Sequence, residues 1–133
     1  MVILAVPFRA HQAVAGAAPD WTGKIIIDAM NTYDVPPAEL KGQASSEVVA
    51  AAFPGAQLVK TLNQLPAKLL GMNPEENGGR RVMFVSSNDE AASVSIAKLL
   101  EDLGSAPIAL GKLNEGGALL TKGGLLTLQN LIK

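Results

Sequence analysis

Acid–base catalysis needs carboxylates, imidazole or thiol in close partnership, and few residues of this sequence qualify. Two adjacent acidic pairs occur, Glu75-Glu76 and Asp89-Glu90. The first falls in a polar loop. The second falls in the first turn of a helix, where negative charge is favoured by about 0.3–1 kcal/mol. Asp28 closes an apolar run that reads as a buried strand, and a carboxylate there reads first as a hydrogen-bonded structural group. His11 is the only histidine; on an exposed helix face it reads as a surface residue rather than a base. Arg80-Arg81 could draw a phosphate, but at the entrance to a strand the pair reads as solvated charge. The sequence has no cysteine, which excludes disulfides, thiolate catalysis and cysteine-ligated metal. A single histidine excludes a histidine-rich metal site as well.

A different kind of chemistry is carried by the residues that follow the apolar runs. Val6-Pro7-Phe8, Asp28-Ala29-Met30-Asn31, Thr61-Leu62-Asn63, Ser86-Ser87 and Leu110-Gly111 combine apolar side chains with a few amides and hydroxyls. In α/β sheets ligands bind where the loops at the carboxyl ends of the strands converge. Such a lining suits an uncharged planar ring better than a highly charged group. Asn63 also has a plain reading, as an amide that satisfies loop backbone groups, and Pro7 one as a strand terminator.

The elements that must position these residues alternate in type. Met1–Val6, Lys24–Ala29, Gln57–Leu62, Arg81–Ser86 and Ala106–Leu110 are short apolar runs and read as strands. Met1–Val6 and Lys24–Ala29 are apolar enough to be buried on both faces. Ala10–Ala18 suits a short helix, Asn31–Gly42 a long loop, and Asn63–Gly71 a helical turn or short helix. A helix through Phe53 is expected to start at a Ser45 or Ser46 cap, with Glu47 at the positive end of its dipole. After Ser87-Asn88-Asp89, the side chains Ala92, Ile96, Leu99, Leu100 and Leu103 define one helical face, which Gly104 ends as a left-handed residue. Leu125–Ile132 reads as a closing, apolar-faced helix. Strand–helix alternation predicts right-handed crossovers and a mainly parallel sheet: an α/β, Rossmann-like domain of about five strands spanning 1–133.

Bulk composition agrees. Of 133 residues, 48% are hydrophobic and 17% charged, so a packed core is expected rather than disorder. A net charge of −1 gives no electrostatic case for nucleic acid or an anionic membrane surface. The apolar start is too short to span a bilayer, and its cation, Arg9, follows the apolar run where a signal peptide would have it precede. A cytoplasmic protein with neither nucleic-acid nor membrane partner is expected.

Several blocks in order carry a resemblance: VILAVPFRAHQAVA, KIIIDAMN, SSEVVAAAFPGAQLVKTLNQLPAKLL and RRVMFVSSNDEAASVSIAKLLEDLGSAPIALGKL. They resemble the NADP oxidoreductases dependent on the deazaflavin coenzyme F-420, and are similar to the cytosolic domain of the six-transmembrane metalloreductases. The most specific block is VVK-x-x-N, present here as Leu58-Val59-Lys60-Thr61-Leu62-Asn63. The resemblance implies a Rossmann-like fold that passes hydride between NADPH and a deazaflavin or flavin ring. By the same resemblance, Val6 and Pro7 lie beside the nicotinamide, and Asn31 borders the same crevice. Asn63 and the backbone of Gln64, Leu65 and Pro66 lie where the two rings meet. Gly111, Lys112 and Leu113 line the acceptor side. Because the cofactors carry the hydride chemistry, no acid–base residue is required.

The same families hold the pyrophosphate on a Gly-x-Gly-x-x-Gly turn between a strand and a helix. The glycine pairs Gly78-Gly79, Gly116-Gly117 and Gly123-Gly124 lack that spacing and read as turns. The chain is therefore expected to be the C-terminal part of such a domain, lacking its N-terminal dinucleotide-binding half. Leaving the apolar side chains of Met1–Val6 wet costs about 1.5–3 kcal/mol each, so a homo-oligomer or a complementary N-terminal half is expected to cover this strand. Two functions follow from these expectations: an NADP(H)-dependent reductase completed by its missing half, or a non-catalytic remnant that acts as an oligomerising module.

Overall fold

The computed structural model describes all residues, 1–133, and holds an α/β, Rossmann-like fold. Strands β1 (Val2–Leu4), β2 (Ile25–Asp28) and β3 (Gln57–Lys60) form from the first three apolar runs. A two-residue-per-strand hairpin follows, β4 (Glu75–Glu76) and β5 (Gly79–Arg80). Strands β6 (Val82–Ser87) and β7 (Ala106–Ala109) complete a five-stranded sheet of order β1-β2-β3-β6-β7. Helices are α1 (His11–Ala15), α2 (Ser45–Ala52), α3 (Ala67–Leu70), α4 (Glu90–Asp102) and α5 (Gly116–Leu120). None is long and apolar enough to cross a membrane.

The pleat divides the core between the two sheet faces. Leu4, Ile26 and Leu58 point to one side, against Trp21, Val49 and Phe53. Ile27, Val59, Met83 and Val85 point to the other, against Ala92, Ile96 and Leu100 of α4, the expected face except for Leu103, which follows the helix and is exposed. Asp89 caps α4, its Oδ1 accepting from the Ala92 N–H at 2.8 Å, and Gly104 beyond the helix is left-handed at φ +87°.

One pairing departs from the uniform direction. β1–β2, β2–β3 and β6–β7 are parallel, but β3 and β6 are antiparallel, with Lys60 opposite Ser86. The reason lies between them. A parallel return needs a crossover helix that carries the chain back along the sheet. Here the connection is the four-residue α3 and the β4–β5 hairpin, both tied to the start of β6. The buried Arg81 donates to the Leu69 and Met72 carbonyls and meets Asn130 and Glu76. The chain stays at one end of the sheet, so β6 must run back.

Four further expectations are corrected. β1 is an edge strand in which only Leu4 is buried; Ile3 is 52% exposed, because nothing packs on its side. α2 is entered through Ala44 rather than a serine: the Ser45 N–H faces Thr121 Oγ1 at 3.3 Å, and Glu47 accepts the Ala44 N–H at 2.9 Å. Arg81 is not solvated but is the buried clamp just described. Leu125–Ile132 is not helical, because its backbone groups are claimed elsewhere. The Leu128 N–H donates to the Gln64 carbonyl, the Leu131 carbonyl accepts from Val82, and Arg80 exchanges two bonds with Lys133.

Candidate functional site

At the carboxyl ends of β1, β2 and β3 lies a crevice of about 530 Å³, nine of whose twelve lining residues are hydrophobic. Ile3 and Ala5 form one wall, Ala29, Asn31 and Tyr33 the middle, and Leu62, Asn63, Leu65, Pro66 and Ala67 with Leu70 the other. Leu128 of the C-terminal tail reaches its edge. Apart from the Tyr33 phenol, no lining side chain is ionisable.

Two polar rungs cross from β2 to β3 beneath and within this crevice. In the first, Asp28 and Lys60 are opposite one another in the strand register, and Lys60 Nζ donates to Asp28 Oδ2 at 3.1 Å. Both side chains are almost completely buried. Burial pushes the Lys60 ammonium below the ordinary lysine range, against the opposing pull of the Asp28 carboxylate. In the second rung, three residues further along both chains, the amides of Asn31 and Asn63 meet. Asn31 Nδ2 donates to the Asn63 carbonyl at 3.1 Å, and Asn63 Nδ2 donates to Asn31 Oδ1 at 3.1 Å. Asn63 Nδ2 donates as well to the Leu120 carbonyl at 2.6 Å. Two acceptors on one side fix the amide's orientation.

Two of the four non-glycine residues with positive φ lie here. Leu62 (φ +66°) and Leu128 (φ +63°) are non-glycine residues in the left-handed region, and both line the crevice. Such conformations cost about 1–3 kcal/mol each and persist where the surroundings enforce them. At Leu62 the left-handed turn bends the chain out of β3 next to Asn63 and its partner Asn31.

The structure brings four of the expected site residues together: Asn31, Asn63, Leu65 and Pro66. Val6 and Pro7 extend β1 past Ala5, the last residue of that wall, and the Pro7 carbonyl opens the next turn by accepting from Ala10. Gln64 turns away. Its amide donates to the Val82 carbonyl and accepts from the Phe84 N–H, so its role is to extend the β6 edge. Gly111 and Leu113 lie elsewhere. The antiparallel step puts the carboxyl ends of β6 and β7 at the opposite end of the sheet. There the Gly111 carbonyl accepts from Ser87 and Ser86, and Leu113 is a core residue. His11, expected on the surface, is buried; its Nδ1 bonds the Phe8 carbonyl at 2.6 Å, and it does not line the crevice. Sequence reasoning missed Ile3, Ala5, Tyr33, Ala67, Leu70 and Leu128. The alternation of β1 assigns Ile3 and Ala5 to one face, but no local signal brings the tail to this site.

The crevice offers apolar walls, a locked neutral amide pair and no charge. It can hold and orient a flat uncharged ring, and it contains no acid–base couple.

No protein-family model matches the chain. No curated protein matches it either. Among solved structures it is similar to a hypothetical protein from Sinorhizobium meliloti, with 38% identity and a TM-score of 0.92 over 99% of this chain. It is also similar to a "putative f420 dependent nadp-reductase" from Arthrobacter sp. FB24, with 32% identity and a TM-score of 0.72 over 90% of this chain. The chain spans 66% of the first protein's length and 59% of the second's.

Proposed function

We propose that this chain is the ring-binding part of an NADP(H)-dependent oxidoreductase of the deazaflavin type, the part that follows the dinucleotide-binding turn. The observation that supports this most directly is the uncharged crevice at the ends of β1–β3, built around Asn31 and Asn63, in a chain 32% identical to the Arthrobacter protein. The same blocks' resemblance to the cytosolic domain of the six-transmembrane metalloreductases belongs to this reading.

The residues fit one end of the cofactor and not the other. A nicotinamide or deazaflavin ring suits walls of Ile3, Ala5, Leu62 and Leu65 with an amide edge. When bound, the nicotinamide supplies the hydride. The chain's own residues bind and orient: Asn31 and Asn63 fix the polar edge, Leu65 and Pro66 wall the meeting point, and Val6 and Pro7 border it. Phosphates find no such fit. The Ala44 and Ser45 N–H groups at the start of α2 are taken by Glu47 and Thr121, and these 133 residues contain no Gly-x-Gly-x-x-Gly turn.

The test is a titration of the isotope-labelled chain with nicotinamide mononucleotide, with the deazaflavin in parallel, followed by backbone and side-chain amide resonances. The expected result is weak binding with shifts confined to Asn31, Asn63, Leu65 and their neighbours. Shifts mapping to the Gly111–Leu113 end, or none at millimolar ring, would overturn the proposal.

A second reading, a non-catalytic module that assembles through β1, is favoured by one observation: β1 is an unpaired edge whose Ile3 side chain is half exposed. Unpaired apolar edges recruit partner strands, so a second copy or a complementary N-terminal half would cover it. Light scattering decides. A stable monomer at micromolar concentration that still binds the ring argues against it.

A further inference from the structure

We propose that Asp28 and Lys60 are positioning residues for the crevice: together they grip both backbone polar groups of Met30 and thereby hold Asn31 against Asn63. The inference rests on the ring-binding reading above and adds residues that do not touch the ring. Asp28 Oδ1 accepts the Met30 N–H at 3.0 Å, while Oδ2 accepts from Lys60 Nζ at 3.1 Å. The same Nζ donates to the Met30 carbonyl at 2.6 Å. Met30 is thus held at both ends by one ion pair, and the next residue is Asn31.

The pair is hard to explain by stability alone. Desolvating two charges offsets most of what their attraction gains, and apolar replacements of such pairs are often neutral or stabilising. The alternation of β2 and β3 places Asp28 and Lys60 on the same face as Ile26 and Leu58. A pair of aliphatic side chains would fill that layer. What aliphatic side chains would not supply is a grip on Met30. Neither neighbour replaces it. Ala29 is tied to β1 through the Leu4 carbonyl, and Asn31 is held from the β3 side only by Asn63. A residue that leaves a strand end has no ladder to hold it, and a site group must be fixed to within about half an ångström to act reproducibly.

The test compares the wild type with the double variant Asp28→Leu/Lys60→Met, which removes both charges without stranding either. Three quantities are read: thermal midpoint, hydrogen exchange of the Asn31 and Asn63 side-chain amides, and affinity for nicotinamide mononucleotide. The expected result is an unchanged or raised midpoint with amide exchange faster by about tenfold, equivalent to about 1.4 kcal/mol, and a matching loss of affinity. Unchanged amide exchange in the folded variant would overturn the proposal. If that variant does not fold, Asp28→Asn/Lys60→Met keeps an acceptor for the Met30 N–H and removes only the donor to its carbonyl. Faster exchange at Asn31 is again expected, and unchanged exchange again overturns. Failure of the wild type to bind the mononucleotide counts against the ring-binding reading alone, because the exchange is read without ligand.

Discussion

The side-chain oxygen of Gln64 accepts the backbone N–H of Phe84 at 2.7 Å, while its nitrogen donates to the Val82 carbonyl at 3.1 Å. One amide side chain therefore continues the β3–β6 ladder past the point where β3 ends. Both backbone groups belong to a strand buried along its whole length. Gln64→Leu strands each of them, at about 1–3 kcal/mol apiece. The urea midpoint is expected to fall accordingly with an unchanged slope. A loss below 1 kcal/mol would mean that water or the tail takes over both groups.

The Asn31–Asn63 pair makes a prediction in which chemistry, not size, sets the order. Asn63→Ala leaves the Leu120 carbonyl and Asn31 Oδ1 unpaired, while the Asn31 Nδ2 bond to the backbone carbonyl of residue 63 stays, and is expected to cost about 1–3 kcal/mol. Asn63→Asp is nearly isosteric but turns a donor into a carboxylate oxygen against two acceptors. It is expected to be worse than alanine at neutral pH. A protonated carboxyl can donate again, so the penalty shrinks as pH falls toward the ordinary carboxylate range of about 4. Urea melts of both variants at pH 7 and pH 4.5 check this. An aspartate variant as stable as wild type at pH 7 would mean that the Asn63 amide does not face Asn31 Oδ1 and the Leu120 carbonyl with its nitrogen.

How much of this was legible in the sequence depends on whether a signal was local. β2, β3, β6 and α4 were legible because their apolar periods are local, and Asp89 and Gly104 because caps have residue preferences. Asn31 and Asn63 were legible as residues that follow strands. The direction of β6 was not, because it depends on where α3 and the β4–β5 hairpin are tied, and Arg81 makes that tie through tertiary contacts. Gly111 and Leu113 were assigned to the crevice for the same reason. Leu125–Ile132 has helical spacing of its leucines, yet Gln64, Arg80 and Val82 compete for its backbone and win. Lys60 carried a usable sign: its alternation with Leu58 points it inward, opposite Asp28.

Acid should find the cap of α4. The Ala92 N–H, the Gln57 amide and the Ala91 N–H hold the Asp89 carboxyl below the usual carboxylate range. A depressed folded value means stability that is fully present above the unfolded value and is lost as pH falls through the lowered folded one. Asp89→Asn keeps the capping oxygen and abolishes the titration. At pH 7 it should melt within a few degrees of wild type. Between the ordinary carboxylate range and pH 2 its midpoint should decline less than the wild type's, measured by circular dichroism. Parallel acid profiles would place the acid sensitivity in other groups.

Gly117 of α5 faces Ser46 of α2 at close range. A β-carbon at Gly117 would sit 2.7 Å from Ser46 Oγ, 3.5 Å from Ser86 Oγ and 3.6 Å from Leu113 Cβ. Ser46 Oγ is fully buried and has no hydrogen-bond partner, so it contributes contact but no bond that a substitution would break. Gly117→Ala overpacks this seam and is expected to destabilise by about 1–3 kcal/mol. It does so despite alanine's better helix propensity, worth about 1 kcal/mol in its favour. Ser46→Ala alone removes an unpaired buried hydroxyl and should be close to neutral. Combined, the two should recover most of the loss, because the atom that obstructs the new methyl is the one the second substitution removes. The cycle's interaction energy is therefore expected to be stabilising, near the size of the single-variant loss. Additive effects would mean that the added methyl is resisted by Leu113 and the β6 backbone instead. Since Leu120 at the end of the same helix accepts from Asn63, Gly117→Ala should also speed exchange of the Asn63 side-chain amide, and the added Ser46→Ala should restore it.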